Sequence, residues 1–247
     1  MPDSLTVEIH FEPVLKQVFI TCLLVEVALV FLDVTVNRWQ WSDHGAIQRM
    51  FNITREDGMA SWFAVFQTSM VALTAWIICG LTKLKSGKVQ FRWLVVALLF
   101  SYMTIDDGAA VHERVGTALS QSAAVAGFPS YAWQVIFVPL FASVGAYIFF
   151  SLWRDFGTVQ EKVRIFSAFS CFAVAVVLDF FEGMDNAYVY LYNWFEWSSR
   201  EIRHYSKSLE EFVEMVGMSI FLVTFLGFIP RLANGINIRF IQRFESS

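Results

Sequence analysis

Charge is the scarcest resource in this chain. Asp, Glu, Lys and Arg make up 16% of its 247 residues, against about a quarter in soluble domains, which excludes an ordinary soluble protein. The formal net charge is -4, and no basic stripe runs along any segment, so nucleic acid is excluded as a partner. Neither GxGxxG nor GxxxxGK[ST] occurs, which removes the nucleotide folds that cradle phosphates on such loops. Cys22, Cys79 and Cys171 stand singly in apolar runs without CxxC spacing, as small buried side chains do. HExxH, HxxxH and CxxCH are all missing, so the zinc-protease helix and haem attachment have no signature here. The N-terminus, MPDSLTVEIHFEP, lacks the basic start of a signal peptide, and the first apolar run is expected to stay as a helix. No linker, repeat or low-complexity tract divides the chain, and a single membrane domain over 1–247 is expected.

What is abundant is apolar surface. Hydrophobic residues make up 56% and aromatics 17% of the chain, and the mean hydropathy is +0.52. Six apolar runs lie near 14–36, 60–81, 91–111, 131–153, 163–184 and 209–229, each close to the ~20 residues that cross a bilayer core. The expected fold is all-α: a polytopic integral membrane helical bundle of about six transmembrane helices. Its direction follows from three basic groups: Lys83, Lys85, Lys88 and Arg92; Arg154, Lys162 and Arg164; and Arg231, Arg239 and Arg243. All three fall on one side if both termini are cytoplasmic. The opposite links carry Trp39, Trp41, Trp194 and Trp197, suited to an interfacial belt. A bacterial inner (plasma) membrane is the expected location, with the lipid bilayer as surroundings.

The acids are grouped rather than scattered. Glu26 and Asp33 come late in the first run; Asp106, Asp107, His112 and Glu113 close the third; Asp179, Glu182 and Asp185 close the fifth; Glu210, Glu211 and Glu214 open the sixth. With alternating directions, all four groups fall in the outer half. Glu26 and Asp33, and Asp106 and Glu113, are seven apart and share a helix face. A lipid-facing carboxylate costs roughly 2.5–3.5 kcal/mol on insertion, so these acids should face inward. At that depth the cations are few: Arg114, Arg203, His204 and Lys207. The excess must be relieved by protons, water or bound cations.

Carboxylates with imidazole are a ligand set for Fe, Mn or Zn, with Ca not excluded. The expected ligands are Glu26, Asp106, His112, Glu113, Glu182, Glu211 and Glu214, with His204 and His44 closing the outer mouth of the site. Asp107 and Asp185 are expected on a solvated boundary, and Ser206 or Ser208 as the cap of the sixth helix. The functional expectation is a membrane-embedded metalloenzyme acting on an amphiphilic or lipid-like substrate. The alternatives are a cation or proton-coupled transporter, or an accessory subunit of a membrane protein complex, with a membrane protein partner or homo-oligomer.

Overall fold

Hydrocarbon offers the backbone no water, so an apolar run must satisfy its own amides and becomes a helix. A computed structural model describes residues 11–111, 114–115, 118, 132–182 and 198–233, and among these the chain is all-α. Helix α1 is Phe11–Asp33 and continues through a π-helical turn, Val34–Arg38. It is followed by α2 (Gly45–Phe51), α3 (Met59–Ser86), α4 (Phe91–Ala109), α5 (Ala132–Asp155), α6 (Val159–Glu182) and α7 (Ser199–Ala233).

Among the described residues, four stretches are long and apolar enough to cross a membrane: Phe11–Arg38, Met59–Ser86, Val159–Phe181 and Arg200–Ala233. They match the first, second, fifth and sixth expected spans. The third differs for a physical reason. Helix α4 has 19 residues, but its charge-free stretch runs only from Trp93 to Ile105, about 20 Å of helix against a core of ~30 Å. Helix α5 has 24 residues, of which the described side chains begin at Pro139.

Helix ends are set by local chemistry. Ser198 and Glu201 form a reciprocal capping box, Ser198 N–H to Glu201 Oε2 at 2.8 Å and Glu201 N–H to Ser198 Oγ at 3.3 Å. This starts α7 well before Ser206 and Ser208, which lie within the helix rather than capping it. Thr158 and Glu161 start α6 in the same way. Helix α3 stops where Gly87 turns left-handed (φ 72°) and returns its N–H to Lys83 O at 2.8 Å. In the α2–α3 link, the guanidinium groups of Arg55 and Arg49 bind Asp57 and hold its carboxyl well below the usual carboxylate range. That ion group therefore persists as pH falls through the ordinary carboxylate value near ~4 and is lost only below it.

Helix α7 is central and packs against α1, α3 and α6, while α3 also pairs with α4. Aromatic rings fill one half of the interior. Trp93 of α4 stacks on Phe228 of α7 (centroids 5.4 Å apart) and meets Phe225 edge-on at 5.5 Å. Its indole N–H donates to Asp155 at the end of α5 (3.0 Å), which also receives Arg92 at 2.9 Å. Arg231 near the end of α7 pairs with Glu161 at the start of α6. The basic links therefore gather at one end of the bundle.

Helices α6 and α7 approach closely at Gly217, where an added Cβ would lie 3.1 Å from Cys171 Cβ and 3.0 Å from the Phe172 ring. Cys171 Cβ is fixed to its backbone, so a larger residue must push α6 away. Gly217→Val is expected to cost about 1–3 kcal/mol, seen as a lower unfolding temperature in detergent. An unchanged temperature would show that the two helices separate freely there.

Candidate functional site

The polar interior is built on one face of α1. Glu26 and Asp33, seven residues apart, are both fully buried, at 0% exposure. Glu26 Oε1 accepts from Gln67 Nε2 of α3 at 2.8 Å and from Ser219 Oγ of α7 at 2.6 Å. Gln67 Nε2 also donates to Ser219 Oγ at 2.8 Å, which closes a triangle across three helices. Glu26 Oε2 and Gln67 Oε1 are buried with no hydrogen-bond partner among the described residues.

Two turns further along α1, Asp33 collects a second set of partners. Its Oδ2 lies 2.8 Å from His204 Nε2 and 3.3 Å from the Ser208 hydroxyl, both on α7. Its Oδ1 accepts from Asn37 Nδ2 at 2.9 Å and from the Ile53 N–H at 3.4 Å. The Ser208 hydroxyl also reaches His204 O at 2.8 Å, so its single hydrogen serves one acceptor at a time. The His204 side chain is 23% exposed, and the pair therefore joins the buried face of α1 to the surroundings.

The remaining acids of α7 gather around an ammonium group. Lys207 Nζ lies 2.8 Å from Glu210 and 3.6 Å from Glu211, at i,i+3 and i,i+4, and it feels the charge of Asp179 on α6. Glu214, half-buried, lies in the field of Glu211, Asp107 and Glu210. Asp107 is not on a solvated boundary as expected: it is half-buried and accepts from Thr68 Oγ1 of α3 at 3.0 Å. Asp106 lies one turn from Tyr102, near its hydroxyl.

This arrangement overturns the metal centre. Among the described residues, no group of three or more His, Cys, Asp or Glu side chains could hold a metal ion. The expected carboxylate cluster, its Fe, Mn, Zn or Ca ion and the metalloenzyme built on it are corrected accordingly. The physical reason is dispersal: the partners of the acids on α7 extend from His204 to Ser219, about 22 Å of helix, and lysine, imidazole, amide and hydroxyl groups take the carboxylate oxygens. Of the expected ligands, Glu26 lies apart from Glu211 and Glu214, which are neighbours on α7, and Asp106 lies beside Tyr102 on α4. His112 and Glu113 lie outside the described residues; Glu182 ends α6, with its side chain outside the description. His44 is exposed at the start of α2.

Sequence reasoning missed Gln67, Ser219 and Thr68 because none is charged. A signal existed for Gln67, whose full amide lies in the middle of an otherwise apolar span and needs partners. Residues 18–228 match a family model described as Domain of unknown function (DUF8692). No curated protein and no solved structure matches the chain.

Asp33→Ala removes an acceptor shared by both oxygens' partners, and a loss of about 3 kcal/mol is expected. Gln67→Leu deprives Glu26 of one of its two donors and is expected to cost about 1–3 kcal/mol. Thermal unfolding in detergent checks both; two unchanged midpoints would mean that these contacts add nothing to the fold.

Proposed function

The chain belongs to the DUF8692 family, and we propose that it is a proton-coupled membrane transporter in which Glu26 takes up and releases the proton. The observation that carries this reading is a fully buried carboxyl held by uncharged donors from two other helices. A carboxylate in an apolar bundle is costly without a cationic partner, and intramembrane acids of this kind mark proton relays. Both donors converge on Oε1, while Oε2 has no partner among the described residues. The carboxyl can therefore carry hydrogen on Oε2 and lose it again without breaking either contact. A group that cycles between two charge states needs that tolerance.

Asp33 and His204 are the exchange point with the outer face. Asp33 lies two turns along the same face of α1, about 10 Å from Glu26, and the imidazole of His204 beside it both donates and accepts, as a shuttle requires. The membrane arrangement that accompanies this function has six spans, with α4 and α5 joining the four apolar ones and both termini cytoplasmic. The gathering of the basic links at one end supports it, and His204 then opens to the outer side of a plasma membrane.

Protein reconstituted in liposomes with a trapped pH-sensitive dye is expected to pass protons under an imposed gradient. Glu26→Gln, whose amide oxygen still accepts both hydrogen bonds, is expected to lower that flux by about tenfold or more while the unfolding temperature holds. The infrared band of a protonated carboxyl should disappear in the same variant. Flux that survives Glu26→Gln undiminished refutes the assignment.

A further inference from the structure

A different kind of site lies at the opposite, basic end of the bundle. There α4 begins beside the end of α5, joined by the contacts of Asp155 with Arg92 and Trp93. Between the two helices opens a cavity of about 380 Å³ lined by Gln90, Phe91, Arg92, Tyr147, Ser151 and Arg154. Its wall is thus two guanidinium groups, an amide, a hydroxyl and two aromatic rings.

The charges do not cancel. Arg92 is held on both sides, by Asp155 and by the Gln90 side chain at 2.9 Å. Arg154 is exposed and feels the charge of Asp155, but enters no ion pair among the described residues. Two guanidinium charges against the one carboxylate leave a positive charge in excess, and Lys83, Lys85 and Lys88 in the adjoining α3–α4 segment add to it. A fork of N–H donors with an unmatched charge is the group that grips a phosphate.

The apolar part of the wall says what carries the phosphate. Phe91 is 69% and Tyr147 42% exposed, with their rings in edge contact at 6.4 Å. Phe150, one residue before Ser151, is 65% exposed. The cleft lies at the level where the candidate span α6 begins and α7 ends, fixed there by Trp93 against Phe228 and by Arg231 with Glu161. A small soluble anion would use the cations and leave these rings unused. An anionic phospholipid uses both, with its headgroup at the arginines and its acyl chains against the rings.

We infer that the cleft between the start of α4 and the end of α5 binds the headgroup of an anionic phospholipid, with Arg154 and Ser151 on its phosphate and Phe91 and Tyr147 against its chains. Basic pockets between membrane helices bind headgroups in this way. The site is independent of Glu26, and failure of the proton assignment would leave it standing.

The full chain in mild detergent is titrated with dioctanoyl-phosphatidylglycerol, with dioctanoyl-phosphatidylcholine and with inorganic phosphate, and thermal unfolding is followed. A saturable rise in unfolding temperature is expected with the phosphatidylglycerol alone. Arg154→Gln should weaken its apparent affinity by about tenfold. Ser151→Leu, which fills the cleft without changing charge, should do the same, and Glu26→Gln should leave it unchanged. An equal response to phosphatidylcholine or to phosphate overturns the lipid assignment, and so does a phosphatidylglycerol response that neither cleft variant alters.

Discussion

Three side chains on three helices, Glu26, Gln67 and Ser219, satisfy one another inside the bundle, and the packing on either side follows from where that junction sits on α7. Beyond it toward the basic end, α7 presents Phe221, Phe225 and Phe228 to Trp93, Phe100 and Phe156, and the interior is aromatic. Before it, α7 carries Ser208, Glu210, Glu211 and Glu214, and the interior is polar. The division is possible because α7 is 35 residues long, more than the ~20 needed to cross a bilayer core. Its first turns can therefore carry His204 and Lys207 beyond the apolar zone while its later turns build the core. The junction fixes register as well, since Glu26 meets its donors only at one axial position of α1 against α3 and α7.

Electrostatics divides the molecule along the same line. At the basic end, acids serve as clamps: Asp155 joins α4 to α5 and Glu161 joins α6 to α7, each through an arginine near a helix terminus. At the other end the roles reverse, and Lys207 and His204 serve the acids of α7 and α1. In a clamp of the first kind the arginine is the solvated partner, while the side chains of Asp155 and Glu161 are only 10% and 15% exposed. Asp33, at the other end, is fully buried, and it is held by both oxygens.

Hydropathy made most of the helices legible, because apolar runs of spanning length admit few other structures. Helix α4 is less legible, because Arg92 at one end and Asp106 and Asp107 at the other shorten its charge-free run. The start of α7 was legible too, since Ser198 and Glu201 form a capping box by spacing alone, but Ser206 and Ser208 lie closer to the apolar run and drew the assignment inward. The acids themselves stood out in the sequence. Their partners did not, because Glu26 finds Gln67 41 residues away and Ser219 193 residues away, separations that no periodicity encodes. Lys207 was the exception: its distance from Glu210 and Glu211 is a helix repeat, and that local pairing sets one positive charge between the two acids.

The surroundings of Glu26 bear on which cation it can serve. A metal ion needs several donor atoms converging on one point, whereas a proton needs one oxygen. Glu26 shares its surroundings with an amide and a hydroxyl rather than with a second carboxylate, which supports the proposed reading in which it serves the smaller charge. Beyond it toward the basic end the packing around Phe221, Phe225 and Phe228 is aromatic, and the buried hydroxyls of Thr74, Thr82 and Thr224 each donate to a carbonyl of their own helix. On the proposed reading, a proton leaving Glu26 toward the basic end meets these occupied hydroxyls rather than a ready acceptor. At that end α1 and α7 pack closely, and an added Cβ at Gly227 would lie 3.1 Å from Leu15 Cδ1. At the opposite end α1 is less regular: the π-helical turn Val34–Arg38 departs from the α-helix, and the single hydrogen of Ser208 has two acceptors within reach, Asp33 Oδ2 and His204 O.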